Sequence, residues 1–235
     1  MSAAKSMLIP VSRERTLWVV DPSVAHPEHQ AVAEILADWP GVHRVFRPGL
    51  IPADGPGPGT GHSTDAVVLL GSRASVHDGL AWVERLAEWL APMLDGTLRI
   101  PLLGICFGHQ LIAHVAGAPV ELVSPDGAKR VGVEDSYLDG GRLLPGQHSL
   151  RVVVSHREEV KACPAGFRIV ARRGPVLVDG LEHGERPLFS FQFHPEAREE
   201  FARHAGIDEA LIDERLKRDN RRILAAFRRL ALGES

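Results

Sequence analysis

Residues 100–105 run apolar without alternation, and at Gly104-Ile105-Cys106-Phe107-Gly108 the pattern changes to a helical one that continues to residue 116. An apolar run of strand length with no polar face is buried on both sides, the condition of a strand in a parallel sheet covered by helices. Small residues two before and two after Cys106 let a sharp strand-to-helix turn pack between the two elements. The thiol is then held up at the amino end of a helix, where N–H groups and the macrodipole favour negative charge on sulfur. A lone cysteine is ordinarily a buried apolar residue. The flanking glycines make this one a candidate nucleophile instead.

The same strand-then-helix alternation occurs earlier. Residues 17–20 are a short apolar strand followed by a helical pattern over 29–39, residues 42–46 form a second strand, and 66–70 lead into a helical stripe over 80–94. Between them, 48–64 is so rich in Gly and Pro that a mobile surface loop is expected. After Pro119 the runs become shorter and β-like, at 120–123, 130–133, 150–154, 167–171, 176–178 and 187–193. Residues 208–232 read as one amphipathic helix burying Leu211, Ile212, Leu216, Ile223, Leu224, Phe227 and Leu230. The expectation is a single α/β domain over residues 1–235, with a tail at 1–12. Its central, mostly parallel sheet is flanked by helices and extended by antiparallel strands in the second half.

Composition narrows the function classes. A net charge of −3 gives no electrostatic case for nucleic-acid binding, and no apolar run approaches the length of a membrane span. The basic residues over 215–229 alternate with acids and apolar residues, as on a solvated helix face. The two cysteines, Cys106 and Cys163, sit in different settings, so a free thiol in a reducing, cytoplasmic location is expected rather than a disulfide.

A thiol attacking an amide needs a group that protonates the departing nitrogen. Among 12 histidines, His194 is the candidate, because it ends the apolar run Phe191-Gln192-Phe193 and is followed by Pro195 and Glu196. In extended backbone, residues i and i+2 share a face, so Glu196 can orient the imidazole. His26, His29, His62, His77, His148, His183 and His204 have no such setting and read as surface or core residues.

Four segments, in this order, resemble the class I, triad-type glutamine amidotransferases, most of all the glutaminase portion of GMP synthases and its stand-alone relatives. They are Gly71-Ser72-Arg73-Ala74-Ser75-Val76, Leu103-Gly104-Ile105-Cys106-Phe107-Gly108-His109-Gln110, Val154-Ser155-His156-Arg157-Glu158-Glu159-Val160 and Phe191-Gln192-Phe193-His194-Pro195-Glu196. The resemblance implies a flavodoxin-like sheet and hydrolysis of the side-chain amide of L-glutamine through a thioester on Cys106, with His194 as acid and base and Glu196 orienting it. It implies an oxyanion hole from the N–H groups of Ser72 and Phe107, and substrate contacts from Gly71, Gln110, Ser155 and His156. It implies no cofactor or metal, and an ammonia acceptor carried on a separate synthetase chain.

Two alternatives keep the same fold: a hydrolase of γ-glutamyl amines or peptides, and a glutamine-binding module without turnover. The family's oxyanion turn usually has a second glycine and then proline where this chain has Ser72 and Arg73, so a partner or ligand could be what completes the hole. Glu158 stands where the family has Asp. Arg73 reads equally as selecting an acidic substrate or as a solvent-facing turn residue.

Overall fold

The structure, a computed structural model, describes residues 14–60 and 63–234; the tail expected at 1–12 and His62 lie outside the described residues. The first half alternates as expected: β1 (Thr16–Val20), α1 (His29–Leu36), β2 (Val42–Phe46), β3 (Ala66–Leu69), α2 (Ala81–Asp95), β4 (Leu102–Ile105) and α3 (Phe107–Val115). The second half follows with β5 (Val120–Leu122), β6 (Arg130–Asp139), β7 (Gln147–His156), β8 (Glu158–Val160), β9 (Phe167–Arg173), β10 (Val176–His183) and β11 (Leu188–Phe191). It closes with α4 (Glu199–Ala205) and α5 (Glu214–Leu232).

Nine strands make one mixed sheet in the order β2-β1-β3-β4-β11-β10-β9-β6-β7. The block from β2 to β11 is parallel and the block from β11 to β7 antiparallel. β5 and β8 pair separately.

Alternate residues of the parallel strands feed two apolar layers. Leu17, Val19, Ala66, Val68, Leu103 and Ile105 pack with Val32, Ile35, Ile223 and Phe227, from α1 and α5. Trp18, Val20, Val67, Leu69 and Leu102 pack with Trp82, Leu86, Trp89, Leu111 and Ile112, from α2 and α3. This two-sided burial explains why these strands carry no polar face.

β11 decides the site. Late in the chain, it inserts beside β4 in parallel register, Phe191 opposite Ile105, and the N–H of Cys106 donates to the Phe191 carbonyl at 2.8 Å. The nucleophile turn and the segment carrying His194 therefore leave adjacent strand ends, the position at which open α/β sheets bind ligands.

Several expectations need correction. The helix expected over 208–232 is a single 3-10 turn at Glu209–Leu211 followed by α5, because Asp213 caps α5 by accepting the Leu216 N–H at 2.8 Å. Leu211 is consequently 38% exposed and does not join the buried stripe, while Ile212, Leu216, Ile223 and Phe227 do. The first helix stops at Leu36, short of residue 39, and Asp38 adopts φ +60°. Residues 48–60 fold as turns closed by bonds such as Arg47 N–H to Asp54 Oδ2 at 2.9 Å. α4 and β8 had no sequence signal strong enough to be expected.

Candidate active site

Cys106 lies at φ +51°, ψ −100°, one of two non-glycine residues with positive φ among those described. Such a conformation is costly and persists only where the surroundings enforce it. Close backbone approach supplies that enforcement. A Cβ on Gly108 would lie 2.3 Å from the Leu69 carbonyl oxygen, and one on Gly104 would lie 2.8 Å from the Gly108 backbone. The glycines therefore let α3 press onto β3 and β4, and the turn has no other way to close. The sulfur, 4% exposed at the residue level, accepts from Gln192 Nε2 at 3.6 Å.

His194 and Glu196 are both buried, with Nδ1 and Oε1 2.8 Å apart. With that proton on Nδ1, the remaining nitrogen, Nε2, is buried and bonds to no other nitrogen or oxygen; its interaction is with Cys106. Burial pulls the imidazole down, but the charges of Glu196 and Cys106 and hydrogen bonds to both outweigh it, and the imidazole is pushed up to about 10. The His194 N–H donates to the Val153 carbonyl at 2.9 Å, tying this segment to β7.

Gly71 faces the same pair. A Cβ there would come within 2.9 Å of His194 Cε1 and 3.5 Å of the Cys106 Cβ, so glycine is a steric requirement. Ser72 does not need glycine's freedom, since its φ is not positive. Its hydroxyl donates to the Pro22 carbonyl at 2.8 Å and accepts the Ala74 N–H at 3.1 Å, which closes the turn by a side-chain route. Phe107 opens the first turn of α3, where N–H groups lack an intrahelical partner.

The other predicted groups line the same cavity, of about 550 Å³, whose walls include Gly71, Ser72, Cys106, Gln110, Ser155, His156, His194 and Glu196. Gln110 spends both amide hydrogens on the chain, donating to the Glu158 carbonyl at 2.7 Å and Gln192 Oε1 at 3.2 Å, which leaves its own oxygen for a ligand. His156 Nδ1 donates to the Glu158 carbonyl at 2.9 Å, so Nε2 is the acceptor for Arg173 Nη2 at 3.0 Å. Burial first, then the Arg173 charge, push this imidazole down to about 3.

Five cavity residues escaped the sequence reading. His26 and His204 line the wall with ring centroids 5.0 Å apart, contrary to their assignment as surface or core residues. Glu28 has a buried Oε2 without a partner, and burial, followed by the charges of Glu196 and Asp21, pushes it up to about 7. Lys129 and Arg157 also reach the cavity. None carries a local motif; only Arg157, beside His156, had a neighbour that drew attention. Among the described residues no group of three or more His, Cys, Asp or Glu side chains could hold a metal ion, and no helix is long and apolar enough to cross a membrane.

Comparison with known proteins gives a consistent result. The family model "Glutamine amidotransferase class-I" matches residues 52–213. One of the two subunits that make up the glutamine-hydrolyzing GMP synthase of Saccharolobus solfataricus is 33% identical over 138 residues, 57% of this chain and 68% of that protein. Its Thermococcus kodakarensis counterpart is 41% identical over 99 residues, 42% of this chain and 52% of its own length. The chain thus spans about half to two thirds of the curated relatives it matches. A glutamine amido transferase structure from Methylobacillus flagellatus superposes with a TM-score of 0.74 at 18% identity, covering 94% of this chain and 96% of that one.

Proposed function

The chain belongs to the class I glutamine amidotransferases, related to the glutaminase subunits of GMP synthases, and on that basis we propose that Cys106, His194 and Glu196 hydrolyse the side-chain amide of L-glutamine. The sulfur of Cys106 attacks the amide carbon; the C–S bond forms and the carbonyl electron pair moves onto oxygen. N–H groups of Ser72 and Phe107 receive that oxyanion. As the C–N bond breaks, the His194 imidazolium gives its proton to the departing nitrogen, and ammonia leaves a γ-glutamyl thioester. His194, now neutral, takes a proton from the attacking water; the C–S bond breaks and glutamate is released. Gln110, Ser155 and His156 hold the amino-acid end, and the ammonia is used by a synthetase on a separate chain.

The observation that carries this reading is the parallel register of Phe191 with Ile105, which sets the thiol and the imidazole at neighbouring strand ends. The test is glutamate release from glutamine, alone and with candidate synthetase partners, and its loss in Cys106→Ala. Unchanged activity in that variant removes the mechanism. One observation favours a second reading, hydrolysis of larger γ-glutamyl amides. The cavity volume, about 550 Å³, falls in the roughly 300–1,000 Å³ range of pockets that enclose drug-sized ligands, which are larger than glutamine. Substituted γ-amides turned over faster than glutamine would establish it.

A further inference from the structure

Three cations reach the cavity without a carboxylate to neutralise them. Arg73 follows the oxyanion turn, Lys129 precedes β6, and Arg157 joins β7 to β8; all three line the cavity that holds Cys106. Among the described residues none of them forms an ion pair, and the one side-chain bond they make is Arg73 Nη2 to the His204 carbonyl at 3.3 Å.

The three cations and Cys106 lie within electrostatic reach of one another. Loss of water lowers Lys129, the charge of Cys106 acts the other way, and Arg73 and Arg157 lower it further. Two acids on the same wall do not answer the cations. Asp78 accepts the Ser75 N–H and Glu158 accepts the Ser75 hydroxyl, each at 2.8 Å. Repulsion among three like charges is unfavourable with the cavity empty, and it is relieved when an anion enters. Two guanidinium groups and an ammonium match a carboxylate, which accepts several donors at once.

The geometry points to an anion subsite formed by Arg73, Lys129 and Arg157, which takes a carboxylate of the γ-glutamyl compound whose amide carbon faces Cys106. The inference rests on the amide-hydrolase reading for the identity of the substrate but not for its test. Two carboxylates are available to it: the α-carboxylate of the glutamyl portion, and one carried by the amine portion of a γ-glutamyl amino acid. Neutral dipoles from Gln110 and the Ser155-His156 backbone can orient such a group, whereas the three cations supply the opposite charge.

Titration calorimetry on the chain carrying Cys106→Ala, in which nothing turns over, separates these sources with two pairs of probes. L-Glutamine and its α-amide differ in the α-carboxylate; γ-glutamylglycine and γ-glutamylethylamide differ in the carboxylate of the amine portion. In one pair or both, the carboxylate member is expected to bind at least about tenfold more tightly, the order of a charge-assisted pair. Adding Lys129→Met with Arg157→Met should abolish that preference, and Lys129→Arg should keep it. All these side chains are exposed, so the variants are expected to fold.

No preference in either pair, or a preference that survives the double substitution, overturns the subsite and leaves the cations for a protein partner. A preference that is lost as expected, in a protein whose unaltered form releases no glutamate, upholds the subsite and sinks the hydrolase reading.

Discussion

Two histidines on one cavity wall, His194 after β11 and His156 at the end of β7, are held in opposite charge states. Burial is common to both and drives both toward neutrality. The sign of the neighbour decides the outcome. His194 has Glu196 and Cys106 beside it, and is pushed up to about 10. His156 has the guanidinium of Arg173, and is pushed down to about 3. Arg173 is itself 1% exposed and paired with Asp179 at 2.9 Å and Glu134 at 2.7 Å. The parallel half thus ends in a group able to give up a proton, and the antiparallel half in one locked as a fixed acceptor. Similar burial can serve proton transfer or positioning, according to what is buried alongside.

The largest expected effect tests that division directly. His194→Gln should lower glutamate release by at least about a thousandfold, as removal of a triad member does, while His156→Gln costs less than about tenfold. Equal losses in steady-state assays would break the contrast. Next comes Arg173→Met, which strands Asp179 in the interior and should cost about 3–5 kcal/mol in urea unfolding. It should also let His156 titrate nearer its ordinary value, visible by NMR.

A third expectation concerns pH. Because the folded value of His194 is raised, its contribution to stability is fully present below the unfolded value of about 6.5 and is lost as pH rises through about 10. Because that of His156 is depressed, its contribution is present above about 6.5 and is lost as pH falls toward about 3. Denaturant titrations over a pH series should show His194→Gln flattening the alkaline limb and His156→Gln the acid limb. The opposite assignment would reverse the comparison. The smallest effect belongs to Ser72→Ala, which removes two hydrogen bonds from the turn. At about 0.5–1.5 kcal/mol per bond it should lower stability modestly. Activity should change less than about tenfold, because the proposed oxyanion donor is backbone.

Much of the parallel half was legible because its signals are local. The two-sided apolar runs, the glycines around Cys106 and the i, i+2 spacing of His194 and Glu196 each lie within a few residues. The antiparallel half was legible only as a series of short strands. Nothing near residue 173 marks that arginine as buried, since its partners lie 6 and 39 residues away in the chain. Lys129 and Glu28 escaped notice for the same reason. The split at Asp213 was missed because apolar periodicity runs across the break, and a capping aspartate looks like any surface acid until the backbone turns at it.

By itself, the sequence determined a thiol on a strained strand-to-helix turn and an imidazole with its carboxylate on one extended segment, because steric closure and backbone periodicity act between near neighbours. Tertiary structure alone decided that β11 lies against β4, that Arg173 neutralises His156, and that three cations converge on the cavity. Strand pairing and the meeting of charges join residues far apart in the chain, and their free energy depends on distances that exist only once the sheet has formed.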